Sequence, residues 1–239
     1  YKNDFYVITV DFHDYFNTIP HEEIINSIKF EDQESNVLLK QYINIFEGDT
    51  GIGIGGEPSQ DISVVYPSKL DRMLQCEPCV IDSARYMDDT YAITHTKEEA
   101  RYVLRKIREV SNKLGLVINE KHTKIYWMKK DYVTWLKKKT HVTETGKIYM
   151  EVTRKNVKSE LKNIDRQKKM IDAGVMSREI ADISILCWSS YASNYCSYNN
   201  LWRVISYYSD IFGVPWSTAK ILLRNKRKGY TQLNKSCTA

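Results

Sequence analysis

Two adjacent aspartates, Asp88 and Asp89, are the residues in this chain with the clearest capacity for chemistry. They lie between short runs of β-favouring residues at 85–86 and 90–93, which predicts a strand, a tight turn carrying the acidic pair, and a second strand. Like charges side by side repel each other. A hard divalent cation such as Mg²⁺ would hold the pair, because it takes carboxylate oxygens and leaves room for phosphate and water. The alternative is a solvated surface turn, where Asp is common.

A third acid, Asp11, ends an apolar, β-branched run over residues 5–12, which predicts a buried strand with the carboxylate at its C-terminal end. A carboxylate there is costly to bury unless it meets a cation. The alternative is an Asp that caps the turn at 14–17. If this strand lies beside the hairpin, the three acids form a minimal scaffold for paired Mg²⁺ ions, which activate the attacking oxygen and stabilise the leaving oxygen in phosphoryl transfer.

A glycine-rich segment over residues 47–60 holds five of the ten glycines of the chain. Clustered glycines indicate backbone that adopts unusual φ angles or approaches another group closely. The segment matches neither the phosphate-loop nor the dinucleotide fingerprint. We interpret it as a floor beside the acidic site that leads into a helix running to about Leu74, with a kink at Pro67. The alternative is a flexible connector.

The elements around these residues follow from hydrophobic periodicity and predict an α+β fold, an antiparallel sheet with helices on one face. After the first strand, helices are predicted from Pro20 and over 36–46, 58–74 and 97–114, the last ended by Gly115, with strands over 116–118 and 125–128. Strands over 132–136 and 147–152 are predicted to pair through a turn at 143–146. The remainder is predicted to be helical, over 156–173, 177–195 and 199–212, before a basic tail, 224–239, predicted to be disordered.

The composition bounds the class of protein. A hydrophobic content of 42% and a charged content of 27% are ordinary for a globular protein, and no apolar run reaches the length of a membrane span. A net charge of +5 is consistent with nucleic acid as a partner. Cys76 and Cys79 form a single CxxC without a second ligand pair, a weak zinc signal, and reduced cytoplasmic thiols are the default. Because the chain starts at Tyr1 beside a predicted strand, we expect that an N-terminal piece is missing.

The segment Tyr86-Met87-Asp88-Asp89 resembles the YMDD box of reverse transcriptases, and Asp11-Phe12-His13-Asp14-Tyr15-Phe16 resembles their first catalytic motif. The glycine-rich segment is similar to their second motif, residues 114–125 to the fourth and residues 132–137 to the fifth, in the order of the family. The resemblance implies a right-handed polymerase palm with a primer-grip hairpin over 1–152, an α-helical thumb over 153–223 and the basic tail over 224–239. The fingers of the family are missing from this chain.

The resemblance also implies an activity and a set of roles. The activity is RNA-templated DNA synthesis with two Mg²⁺ ions, for which Mn²⁺ is a substitute. Asp11, Asp88 and the carbonyl of Phe12 would hold the metals, Asp89 would support them, and Phe16 would exclude a 2′-hydroxyl. The dNTP would also contact Tyr15, Ile54, Gly55 and Gln60, and pyrophosphate would receive its proton from Lys121, His122 or Lys124. The primer end would be held by Trp135, Leu136 and Lys137. The hybrid would contact Lys158, Lys162, Arg166 and Lys169.

Two departures from the family pattern bear on the subtype. Most members have Gln-Gly-x-x-x-Ser-Pro where this chain has Ile54-Gly55-Gly56-Glu57-Pro58-Ser59-Gln60, a box similar to that of diversity-generating retroelement enzymes of bacteria and phages. Loss of the Gln implies relaxed fidelity. In the fourth motif, His122 takes the place of the usual Lys before Thr.

By this resemblance the partners are an RNA template, a DNA or RNA primer, dNTPs and a small basic accessory protein, in the cytoplasm of a bacterial or phage-infected cell. A retron or phage-defence reverse transcriptase is the alternative enzyme. An RNA-binding maturase-like protein is the alternative outside enzymes, and the three intact acids argue against it. The basic helix 156–173 has a plain alternative too, since its cations are also typical of a solvated surface.

Overall fold

The computed structural model describes residues 3–195 and 198–215. These residues form two compact units, one of residues 3–133 and 141–147, the other of 134–140 and the described residues from 148 onward. The first elements are β1 (Tyr6–Val10), α1 (Tyr15–Thr18), α2 (His21–Ser27), α3 (Gln33–Ile43), α4 (Glu57–Val65), α5 (Ser68–Cys76), β2 (Asp82–Tyr86), β3 (Asp89–Thr94), α6 (Lys97–Lys113) and β4 (Lys124–Trp127). The others are β5 (Val133–Trp135), β6 (Lys138–Val142), β7 (Ile148–Val152), α7 (Arg154–Asp172), α8 (Arg178–Ser193) and α9 (Tyr198–Phe212). The predicted tail, 224–239, and the end of the predicted thumb, from 216, lie outside the described residues.

A four-stranded antiparallel sheet in the order β2-β3-β1-β4 forms the centre of the first unit. Side chains alternate between the two faces of a strand, and one face of β1 and β3 buries Ile8, Val10 and Ala92. These residues share a hydrophobic core with apolar residues of the helices, namely Ile62, Leu70, Leu74, Val103 and Ile107. The predicted mixture of helices with an antiparallel sheet is therefore confirmed.

The helix predicted over 58–74 is interrupted where the prolyl ring requires it. It divides into α4 and α5 around Pro67, which has no N–H to donate to the carbonyl four residues earlier. The predicted kink is thus confirmed as a complete break, and it leaves carbonyl groups at the end of α4 without helical donors.

The strand predicted over 116–118 is wrong. The Leu116 amide donates to the Ser111 carbonyl at 2.9 Å, and Gly115 adopts φ +64°, so these residues complete the C-terminal cap of α6. Only Ile118 pairs with its neighbour, through a single bridge to Phe12. The cap uses the backbone donor that a longer strand would need.

The pairing predicted for the strands at 132–136 and 147–152 is also wrong, because β6 lies between β5 and β7 in a three-stranded sheet. Leu136 and Lys137 have φ of 47° and 63°, so the chain reverses there in a tight turn between β5 and β6. Turns with two left-handed residues usually contain Asn or Gly, and the sequence therefore carried no signal for this one. The turn at 143–146 joins β6 to β7 instead.

A second hydrophobic core holds α7, α8 and α9 together. Its buried residues are Val152, Val157, Ile164, Ala181, Ile185, Ala192, Leu201, Val204, Ile205 and Tyr208. Within the part of the chain that the structure describes, no helix is long and apolar enough to cross a lipid bilayer.

Candidate active site

The turn between β2 and β3 presents the acidic pair. Tyr86 pairs with Asp89 across the hairpin, so Met87 and Asp88 are the two central residues of the turn. Met87 has φ of 55°, whereas Asp88 does not share this left-handed backbone. Turns with positive φ at their first central position normally place Gly there. A methionine in that conformation is strained, and such strain is concentrated at functional sites, where the surrounding structure must hold it.

Asp11 is brought to this turn by strand register. In the β1–β3 pairing Val10 lies opposite Thr90, and continuing the register by one residue places Asp11 level with Asp89. Burial raises the pKa of Asp89, and the charges of Asp88 and then Asp11 raise it further. Asp11, more than 70 residues earlier in the sequence, and the adjacent Asp88 therefore both lie within electrostatic reach of Asp89.

Asn119 orients Asp11, a role that the sequence did not predict. Its side-chain amide donates to Oδ2 of Asp11 at 2.8 Å, and its backbone N–H donates to the Asp11 carbonyl at 2.8 Å. The Asp11 amide in turn donates to Oγ1 of the buried Thr123 at 3.4 Å. The sequence signal that could have found Asn119 is its position directly after the apolar run 116–118. Ile118 of that run bridges to Phe12, next to Asp11 at the end of β1.

The donor set is suited to a hard divalent cation. Among the described residues no group of three or more His, Cys, Asp and Glu side chains is arranged to hold a metal ion. The carboxylates are nevertheless oxygen donors that repel one another in a half-buried setting, and a Mg²⁺ ion would relieve that repulsion. The CxxC pair offers less, because Cys76 and Cys79 are free thiols, and Cys79 packs against the hydrophobic core and donates to Glu77.

Tyr15 and Phe16, which follow Asp11 in the first motif, form an edge-to-face pair of rings. Tyr15 is buried, and its hydroxyl donates to the Ser63 carbonyl at 2.7 Å. Its ring meets Phe16 edge-on, with centroids 5.6 Å apart. Phe16 remains half-exposed, so of the two rings predicted at the nucleotide only Phe16 presents a surface to solvent. Tyr15 packs against the Phe16 ring. The nucleotide contacts predicted for Tyr15 and Phe16 stay predictions.

The glycine-rich segment is fastened to the first motif. The Gly51 amide donates to the Ile19 carbonyl at 2.8 Å, and the Ile52 amide donates to the Phe16 carbonyl at 2.7 Å. Beyond these anchors Ile54 and Gln60 are exposed, and a Cβ at Gly55 would have nothing within 4 Å. Hydrogen bonds thus hold the segment against the first motif, while Ile54, Gly55 and Gln60 remain exposed. This attachment argues against a flexible connector.

The remaining predicted residues fall into two groups. Lys121 and His122 are exposed on the turn that follows Asn119 in the first unit, and Lys124 is exposed at the start of β4. The predicted primer-grip residues belong to the second unit, where Leu136 and Lys137 form the β5–β6 turn and line a cavity of about 400 Å³ with α7 and α8. Trp135 is half-buried just before that turn.

The cations of α7 predicted to meet a hybrid are all exposed. Lys158, Lys162, Arg166 and Lys169 follow one another at intervals of four, four and three residues, which places them on a single face of the helix. The opposite face buries Val157, Ile164 and Gln167. Clustered cations on one face form an electrostatic footprint that suits a phosphate backbone.

More than half of this chain matches a known protein family. A family described as reverse transcriptase (RNA-dependent DNA polymerase) matches residues 2–145. Among curated proteins, none matches this sequence.

Several solved structures are similar to this chain at low identity. The apo telomerase of Candida tropicalis, truncated from its C-terminal domain, is 12% identical with a TM-score of 0.44, over 62% of this chain and 35% of the other. The telomerase of Candida albicans, complexed with a TWJ fragment of telomeric RNA, is 9% identical with a TM-score of 0.48, over 97% and 40%. The foamy viral protease-reverse transcriptase in complex with an RNA/DNA hybrid is 18% identical with a TM-score of 0.48, over 98% and 28%. This chain thus spans between 28% and 40% of the length of those solved chains.

Proposed function

Because the chain belongs to the reverse transcriptase family, we propose that its protein copies RNA into DNA, with Asp11, Asp88 and Asp89 as the catalytic carboxylates. The observation that carries this proposal is the register that sets Asp11 level with Asp89, at a hairpin turn whose acids repel one another. The substrates are then an RNA template, a DNA or RNA primer, and dNTPs.

In this proposal Asp11, Asp88 and the Phe12 carbonyl would hold two divalent ions, Mg²⁺ or Mn²⁺, with Asp89 adding negative charge. When bound, the ions supply the charge that favours attack of the primer 3′-hydroxyl on the α-phosphate and departure of pyrophosphate. Asn119 keeps one oxygen of Asp11 occupied and so directs the other toward the reaction.

Specificity and product release involve other residues in this proposal. Phe16, supported by Tyr15, lies under the sugar and excludes a 2′-hydroxyl, while Ile54, Gly55 and Gln60 line the nucleotide from the floor. Lys121, His122 and Lys124 are the proton donors available to pyrophosphate.

A division of labour along the chain, implied by the family resemblance, is also part of the proposal. Residues 1–152 would act as a palm with its primer-grip hairpin, and 153–223 as a thumb. Trp135, Leu136 and Lys137 would hold the primer end, and the exposed cations of α7 would follow the hybrid, whose A-like form is recognised through its backbone and sugars.

The Ile54–Gln60 box favours a diversity-generating retroelement in a bacterium or phage, with a small basic accessory protein and a cytoplasmic setting. Replacing Ile54 by the Gln of most family members should then reduce misincorporation opposite template adenine by about tenfold, the discrimination that one polar contact supplies. The measurement is sequencing of products made on an RNA rich in adenine. An unchanged error rate would leave a retron or phage-defence enzyme as the better assignment.

The main proposal is tested by primer extension on poly(rA)–oligo(dT) with dTTP and Mg²⁺. The unaltered protein should extend the primer, Asp88→Ala should not, and Asp210→Ala, which removes an exposed carboxylate of α9, should behave as the unaltered protein does. Absence of extension by the unaltered protein, with RNA still bound, would instead favour the maturase-like role.

A further inference from the structure

Arg85 lies beneath the acidic turn, and its side chain is only 5% exposed. Nε donates to Oδ1 of Asp71 at 2.8 Å, and Nη2 donates to Oδ2 at 2.6 Å and to the Val64 carbonyl at 2.7 Å. Nη1 donates to the Met87 carbonyl at 3.0 Å and to the Ser63 carbonyl at 3.5 Å. A guanidinium has five N–H donors, and every one of them is used here.

The acceptors at the end of α4 are available because of Pro67. In an unbroken helix the Ser63 carbonyl would accept from the N–H of residue 67, which proline lacks. That carbonyl instead accepts from Tyr15 and Arg85. The helix break therefore leaves a buried backbone acceptor that contacts Tyr15 of the first motif and Arg85. Arg85 in turn contacts the acidic turn.

One of the five bonds reaches the strained residue itself. Met87 has φ of 55°, and its carbonyl belongs to the peptide that joins it to Asp88. A hydrogen bond from a buried, charge-paired guanidinium to this carbonyl fixes the orientation of that peptide. The direction of the Asp88 side chain depends on the same peptide.

We propose that Arg85 is a positioning residue. Its hydrogen bonds to Asp71 and to the carbonyls left free by Pro67 fix its guanidinium, which holds Met87 in its left-handed conformation and so orients the Asp88 side chain. This inference rests on the proposed function, because it assigns Arg85 a part in placing the catalytic carboxylates. Arg85 touches neither the nucleotide nor the metal ions in this scheme and acts only through Met87.

The principal test is Arg85→Lys. Lysine keeps the positive charge for Asp71, but it has three donors in a compact head and cannot reach Asp71, α4 and Met87 together. The matched control is Arg108→Lys, because Arg108 also forms a two-bond pair, with Glu120 at 2.9 and 2.8 Å, but on an exposed surface. We expect single-nucleotide incorporation by Arg85→Lys to slow by about 100-fold, the effect of a small misplacement at a reacting centre, with KM for dTTP nearly unchanged. Arg108→Lys should match the unaltered protein.

A rescue experiment separates positioning from general support of the fold. Glycine adopts positive φ without strain, so Met87→Gly should make the turn independent of Arg85. In the Met87→Gly background, Arg85→Lys should slow incorporation by less than about threefold, a strong non-additivity. An equal cost in both backgrounds would show that Arg85 supports the fold alone, and would overturn the proposal.

Mn²⁺ binding, measured by electron paramagnetic resonance, gives a readout that does not need catalysis. We expect the Kd for Mn²⁺ to rise by about tenfold in Arg85→Lys but not in Arg108→Lys, the lower end of the loss caused by removing an outer-shell partner of a metal site. Equal affinities would overturn the proposal.

Failure of the proposed function and failure of the Arg85 proposal would give different results. If the unaltered protein extends no primer, the proposed function fails, while the Mn²⁺ comparison still decides the role of Arg85. If Arg85→Lys does not fold, Pro67→Ala replaces it, because an N–H at residue 67 would compete for the Ser63 carbonyl. Weaker Mn²⁺ binding in Pro67→Ala would support the proposal, and unchanged binding would contradict it.

Discussion

At the scale of single residues, Asp89 is a carboxyl group of the site whose ionisation its surroundings disfavour. Burial and the neighbouring charges of Asp88 and Asp11 raise its pKa, so its ionised form is disfavoured in the folded protein. The stability associated with the neutral carboxyl is fully present below the unfolded pKa of about 3.9 and is lost as the pH rises through the raised folded pKa. Ionisation of Asp89 thus costs the native state free energy, and in the proposed function the bound metal ions would offset that cost.

Asp89→Asn should therefore stabilise the protein at pH 7. We expect Tm to rise by about 2–4 °C, the shift that roughly 1 kcal/mol produces in a protein of this size. The advantage should vanish at acid pH, where the unaltered Asp89 is protonated as well. Thermal melts from pH 4 to pH 8 measure both effects, and Asp210→Asn, at an exposed carboxylate of α9, is the control. A gain that stayed constant with pH would contradict the electrostatic explanation.

Phe16 is the residue on which sugar selection should depend. Phe16→Val removes the ring under the proposed sugar position, so incorporation of ribonucleotides relative to deoxyribonucleotides should increase by about 10–100-fold. Phe46→Val is a matched control, since Phe46 meets Tyr42 edge-on at 5.3 Å much as Phe16 meets Tyr15. Competition between UTP and dTTP in primer extension gives the ratio. Equal ratios in the two variants would remove Phe16 from sugar selection.

At the scale of elements, the first unit is organised by a break and a turn. Pro67 divides α4 from α5, and the freed carbonyls meet Arg85, which extends from β2 toward the helices because its register partner Thr90 is on the buried face of the sheet. The helix break at Pro67 and the β2–β3 register therefore together determine the contacts of the Arg85 guanidinium.

The ion pair between Arg85 and Asp71 should be far more important for stability than the exposed pair in the same unit. Asp71→Ala leaves Arg85 buried without its counter-ion, which should cost about 3 kcal/mol of unfolding free energy. Glu120→Ala breaks the Arg108 pair, whose side chains are 41% and 61% exposed, and should cost less than about 1 kcal/mol. Urea denaturation of both variants makes the comparison. Similar losses would mean that Arg85 gains little from Asp71.

At the scale of the whole molecule, the distribution of charge is consistent with the proposed polyanionic partner. The net charge is +5, and the exposed face of α7 concentrates four cations, while the proposed site concentrates three acidic residues. In the proposed function both features are used, because the backbone of the hybrid and the metal-bound triphosphate are both anionic.

Lys162→Ala should weaken binding of an RNA–DNA hybrid and reduce its salt dependence. Because each neutralised phosphate releases counterions, removing one lysine–phosphate interaction should lower the slope of log K against log salt concentration by roughly 0.9. Lys97→Ala, at an exposed lysine of α6, should leave the slope unchanged. Fluorescence anisotropy from 50 to 300 mM salt, about the range in which such slopes are measured, provides the data. An unaltered slope in Lys162→Ala would leave α7 as a solvated surface.

Local features of the fold could be read from the residues alone. The strand before Asp11, the hairpin around Asp88 and Asp89, the break at Pro67 and the end of α6 near Gly115 all match their predictions within a few residues. Each depends on backbone preferences or on side-chain periodicity over a few neighbouring positions, and those are written directly into the order of residue types. The family assignment rests on the same short motifs.

The contacts that complete the site required the folded chain. Asn119 meets Asp11 across 108 residues, and Arg85 finds acceptors on α4, α5 and the turn, although neither residue belongs to a recognisable pattern. The β5–β6 turn at Leu136 and Lys137 was missed for the same reason, since nothing in those residue types favours left-handed backbone. Local preferences specify each segment, but the register and packing of distant segments specify which polar groups meet, and those depend on the whole core at once.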